Sequence, residues 1–74
     1  QDVELYIASL SEGDRLSYQI IDNRVVWLQV AKGSVLLNDQ LLQAGDGSAI
    51  TDETQIAITG SSQDSEILLF DLAN

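Results

Sequence analysis

"RVVWLQVAKGSVLLNDQLLQAGDGSAI", residues 24–50, decides how this chain folds. Val26, Leu28 and Val30 are spaced by two, as are Val35 and Leu37, which puts apolar side chains on one side of an extended backbone. Turn signals cut the stretch at Lys32-Gly33, Asn38-Asp39 and Gly45-Asp46-Gly47. The runs between them are too short for ordinary helices and rich in Val and Leu, so they read as strands. Lys32-Gly33 joins two strongly β-forming runs and reads as a tight hairpin that uses glycine's access to positive φ. Asn38-Asp39 reads as another, because both residue types tolerate the left-handed conformation.

The same rhythm extends outward. Leu16, Tyr18 and Ile20 alternate, and so do Ile56 and Ile58. Further turn signals stand at Glu12-Gly13-Asp14, Asp22-Asn23, Thr51-Asp52-Glu53 and Gly60-Ser61-Ser62, and proline is absent. Eight strands follow: Leu5–Leu10, Arg15–Ile21, Val25–Ala31, Ser34–Asn38, Gln40–Leu42, Ser48–Ile50, Gln55–Thr59 and Ile67–Leu72. The fold class is all-β, and about eight short antiparallel strands suit a jelly roll or a small barrel. The last strand, "EILLFDL", is apolar on both faces apart from Asp71, which predicts burial inside the domain and against something outside it.

Seventy-four residues allow one domain. A chain of that size buries only about 60 to 65% of its unfolded surface. Cysteine and histidine are absent, so neither a disulfide nor a zinc site can staple it. Small domains without such supports depend on regular packing or on a neighbour, and a partner is expected. Twelve acidic residues against Arg15, Arg24 and Lys32 give a net charge of −9. That balance repels phosphate backbones and anionic headgroups, so the expected partners include neither nucleic acid nor a membrane. No apolar run approaches the roughly 18 to 20 residues of a membrane span, and no signal-peptide layout opens the chain. A cytoplasmic location is expected. The chain starts at Gln1 and contains no methionine, which suggests a piece of a longer polypeptide.

Residues 24–50, with "ELYIASLSEGDRLSYQI" before them and "SEILLFDL" at the end, resemble the C-terminal cupin domain of pirin-like bicupins, the group that includes bacterial quercetin 2,3-dioxygenases. Trp-x-Gln-Val-x-x-Gly, Leu-x-x-Gly-Asp-Gly and Leu-Leu-Phe-Asp-Leu carry the resemblance together, and it covers nearly the whole chain. It implies a small cupin-type jelly-roll barrel over residues 1–74, forming the C-terminal half of a two-cupin protein. Cupins that hold a metal supply two histidines and a glutamate from a first motif and one histidine from a second, a set suited to iron, manganese, nickel or copper. Spacing from Gly33 and Gly45 places those positions at Gln19, Ile21, Val26 and Ile56, so the ligands are replaced and the site is expected to be filled with hydrocarbon. Gly33, Gly45, Asp46 and Gly47 remain as structural turns.

The resemblance further implies a division of labour. A divalent transition metal and flavonol oxygenation would belong to an N-terminal cupin, while this domain holds no cofactor and no catalytic residue and packs against that cupin or against a second copy of itself. The alternatives are a freestanding module that binds a small molecule in the old barrel cavity, or a self-associating domain. Individual residues add no catalytic machinery. The serines have no histidine to activate them. Gly45-Asp46-Gly47 is too short to cradle a phosphate. Asp46 reads as a turn aspartate bonded to nearby backbone NH groups, and Asp52-Glu53 lacks the ligand spacing of a calcium loop. Trp27 and Gln29 point outward if Val26, Leu28 and Val30 point inward.

Overall fold

The computed structural model describes residues 3–21 and 24–73. The Asp22-Asn23 turn lies outside the described residues. Among the described residues eight strands form: β1 (Val3–Leu10), β2 (Arg15–Gln19), β3 (Arg24–Lys32), β4 (Ser34–Leu37), β5 (Gln40–Gln43), β6 (Gly47–Ile50), β7 (Gln55–Gly60) and β8 (Ser65–Ala73). They make two four-stranded antiparallel sheets, one in the order β1-β8-β3-β6 and the other β2-β7-β4-β5. This is a jelly roll, and the cupin-type all-β architecture expected from the sequence is the one formed.

Alternation explains how the sheets close on each other. Val26, Leu28 and Val30 of β3 are buried, as are Ile67 and Leu69 of β8, and they meet Val35, Leu37, Leu42, Ile56 and Ile58 of the facing sheet in one apolar cluster. Burial of each such side chain contributes about 1.5–3 kcal/mol, and these terms are what a 74-residue chain without staples has to set against its backbone entropy.

The hairpin expected at Lys32-Gly33 does not form. β3 already has β8 on one side and β6 on the other, so it has no free edge to offer β4, which pairs with β5 and β7 in the opposite sheet. Gly33, at φ 72°, instead carries the chain from one sheet to the other. A Cβ there would run into the Asp64 carbonyl and the hydroxyls of Ser62 and Ser65. Those hydroxyls tie the corner shut: Ser34 N donates to Ser62 Oγ at 3.1 Å and Ser65 Oγ donates to Ser34 O at 2.8 Å. The Asn38-Asp39 turn does join paired strands, with Leu37 opposite Gln40 and Asn38 at φ 54°. At the Gly-Asp-Gly corner Gly45 takes φ 95°, and Asp46 Oδ2 accepts from Gln43 N at 2.9 Å.

Candidate functional site

The four positions mapped from the cupin ligand pattern fall in two different environments. Val26 and Ile56 lie in the core, at 0% and 1% exposure. Gln19 and Ile21 do not: Gln19 is exposed on β2, and Ile21, just past the strand, is 69% exposed. Tyr18 sits opposite Ile56 and Leu16 opposite Ile58, so the inward row of β2 runs through Leu16 and Tyr18 and continues to buried Ile20. A one-residue offset sends every side chain of a strand to the other face. The positions that face Val26 and Ile56 are therefore Tyr18 and Ile20, and the assignment of Gln19 and Ile21 to the interior is corrected.

Tyr18 brings a polar group to that interior. Its hydroxyl donates to Oδ2 of Asp71, the buried acid of β8, which is only 3% exposed. Arg24, at the start of β3, donates from Nε to Asp71 Oδ1 and from Nη2 to the Asp71 carbonyl at 3.1 Å. Strand register makes the meeting possible: Asp71 lies opposite Val26 on β3 and opposite Glu4 on β1, which turns it inward between the sheets. A buried carboxylate is costly unless paired and hydrogen-bonded, and here both conditions hold. Burial, followed by the hydrogen bond to Asp71, pushes the Tyr18 phenol well above its ordinary range, so it remains a donor. The neighbouring Tyr6 ring stands 5.5 Å from that of Tyr18 and is tilted to it by 59°. The Tyr6 hydroxyl donates to Glu4 Oε1 at 2.9 Å, and this bond raises its pKa. Sequence reading passed over Tyr18, Arg24 and Asp71 as a group. The signal available was a lone acid in an apolar strand, without its partners.

Outside the core, sheet register lines up three largely apolar rows, interrupted by Gln29, on the outer face of the sheet that contains β8. Val3, Leu72 and Val25 form one; Leu5, Phe70, Trp27 and Ala49 the next; Ile7, Leu68, Gln29 and Gly47 the third. Val3, Leu5 and Ile7 are more than half exposed, and Trp27 is 39% exposed. The Trp27 ring lies across Gly47, where any Cβ would collide with it, and its Nε1 donates to Gln29 Oε1 at 3.2 Å. Gln29 Nε2 in turn donates to the Asp46 carbonyl at 3.1 Å, which fixes the indole on the sheet. At one end of the sandwich Asp39, Asp52 and Glu53 line an open cleft. Among the described residues no group of three His, Cys, Asp or Glu side chains is placed to hold a metal ion, and no helix is long and apolar enough to cross a membrane.

The geometry can be set beside known proteins. The family model of the quercetinase C-terminal cupin domain matches residues 1–72. A quercetin 2,3-dioxygenase of Escherichia coli K12 is 47% identical over 72 residues, which is 97% of this chain and 31% of that protein. The chain thus spans about a third of the length of the relatives it matches. The crystal structure of YhhW from Escherichia coli superposes with a TM-score of 0.92 at 47% identity, over 97% of this chain and 30% of that one. The bacterial pirin YhhW in complex with nickel(II) superposes with a TM-score of 0.93 at 45% identity, over 99% and 31%. The conserved SPY1581 protein of Streptococcus pyogenes shares the fold alone, at 13% identity and a TM-score of 0.74 over 100% and 67%. Matched by the family model over residues 1–72 and superposing closely on a solved relative at 47% identity, the chain belongs to the quercetinase C-terminal cupin domain family.

Proposed function

We propose that this domain is the metal-free packing half of a two-cupin, quercetinase-like protein of the cytoplasm, and that it docks on an N-terminal cupin through the outer face of β1, β8, β3 and β6. The single observation that carries this reading is the set of three largely apolar rows on that face. Soluble domains rarely leave so apolar a surface bare, and a rigid indole at its centre is the type of residue that anchors interfaces. The relatives named for quercetin 2,3-dioxygenation are about three times longer than this chain, which leaves room for a catalytic cupin elsewhere in them. Oxygenation and its divalent metal are assigned to that other cupin. The interior positions offered here, Tyr18, Ile20, Val26 and Ile56, do not fit such an ion, because they supply neither imidazole nor carboxylate. Among the described residues the one buried carboxylate, Asp71, is already held by Arg24 and Tyr18.

Mixing the chain with a separately produced N-terminal cupin of the longer protein tests the docking. A one-to-one complex with blue-shifted Trp27 emission is expected, and Ile7→Lys, on the exposed row, should abolish it. Absence of a complex, or one indifferent to Ile7→Lys, overturns the reading. A stable homodimer through the same face would support self-association instead. Elemental analysis after dialysis should find no stoichiometric iron, nickel, copper or manganese in the chain.

A further inference from the structure

Between the edge strands β1 and β2 the two sheets do not close. Tyr6, Ile7 and Ala8 of β1, Ile67 and Leu69 of β8, and Leu16 and Tyr18 of β2 line a slot of about 280 Å³. Ile7, at its rim, also belongs to the third row of the outer face, while the other lining residues lie apart from the rows used in the packing proposed above. We propose that this slot is a binding site for a small neutral phenol, one aromatic ring with a short apolar substituent.

Size, polarity and charge each narrow the ligand. A dry apolar cavity of roughly 150 Å³ accepts a benzene ring, and pockets for drug-sized molecules begin at about 300 Å³, so this slot suits a single substituted ring. The walls are aliphatic except for the two tyrosine rings, whose tilted pair offers a face and an edge to a third ring. Both tyrosine hydroxyls spend their one proton on carboxylates, Tyr6 on Glu4 and Tyr18 on Asp71. What remains on each oxygen is acceptor capacity. A ligand that donates a hydrogen bond is matched to that wall, and one that can only accept is not. The Glu4 carboxylate beside Tyr6, on a chain of net charge −9, disfavours an anion of the same shape.

The test is a titration of the 74-residue chain, labelled at its methyl groups, with 4-ethylphenol and, in parallel, with 4-ethylbenzoate. Saturable shifts of the Ala8, Leu16, Ile67 and Leu69 methyls by the phenol are expected, with the benzoate at least tenfold weaker. Ala8→Leu, which fills the slot, should remove the response. Tyr6→Phe keeps the ring at a half-exposed position and removes one acceptor, so it should weaken phenol binding about threefold to tenfold, the worth of one hydrogen bond. It carries the variant test if Ala8→Leu does not fold. The proposal is overturned if those methyls do not move, if the benzoate binds as well as the phenol, or if the shifts are confined to Val3, Leu5 and Leu72 on the outer face.

Discussion

Replacing Arg24 with Met takes the cation away from Asp71 and leaves a carboxylate that is 3% exposed, with Tyr18 as its remaining side-chain donor among the described residues. Breaking a buried ion pair from one side costs about 3–5 kcal/mol. Arg24 keeps some access to water, its side chain being 16% exposed, so the lower end applies, about 3 kcal/mol. Against the roughly 3–5 kcal/mol available to a domain this small, the variant should sit near its unfolding midpoint at room temperature. Asp71→Leu instead removes the acceptor that Arg24 and Tyr18 share. The guanidinium can swing toward solvent, and the Tyr18 hydroxyl loses its acceptor, so a cost of about 1–2 kcal/mol is expected. Removing both charges together, Arg24→Met with Asp71→Leu, replaces the pair by hydrocarbon, an exchange that is often neutral or stabilising. The double variant should therefore recover at least about 2 kcal/mol relative to the sum of the single ones. Urea unfolding followed by Trp27 emission measures all four proteins. If the two single costs simply add, or if Arg24→Met shifts stability by less than about 1 kcal/mol, Arg24 does not neutralise Asp71 and the polar cluster is wrongly described.

Ile56→Asp buries an unpaired carboxylate and should unfold most of the protein, while Ile56→Val should cost about 0.5–1.5 kcal/mol; thermal melts decide, and a melting temperature unchanged by Asp would place residue 56 on the surface. Tyr18 has its pKa raised above 10.0, so its contribution is complete below that pH and is lost as pH climbs toward the folded-state value. Stability measured from pH 8 upward should fall beyond 10, more steeply than in Tyr18→Phe. Gly33→Ala should destabilise more than Gly45→Ala, since both add about 1–2 kcal/mol of left-handed strain but only residue 33 meets backbone and hydroxyls; comparison of their urea midpoints checks it.

Strand positions were legible because alternation and turn chemistry are local. Val26, Leu28 and Val30 declared their common face, and Asn38 its left-handed turn. Lys32-Gly33 misled because a glycine between two β runs reads the same whether the chain folds back or crosses over; the outcome depends on β8, more than thirty residues further along. The offset at Gln19 and Ile21 has a different origin. Motif spacing counted along the chain was set above the alternation of Leu16, Tyr18 and Ile20, which already put Tyr18 and Ile20 on one face. The link from Arg24 to Asp71 had no local trace at all, since it joins residues 47 positions apart.

β8 lies between β1 and β3 and hydrogen-bonds to both, yet it comes last in sequence among the described strands. During synthesis one sheet must wait with its central place vacant, while β1 and β3 present open edges that invite pairing with other chains. The β4–β5 hairpin can form early and at little entropic cost, whereas the β1–β8 ladder closes a loop from Val3 to Leu72. Such long-range pairing makes folding slow relative to the domain's size. Until β8 joins, this domain therefore stands in its most association-prone state.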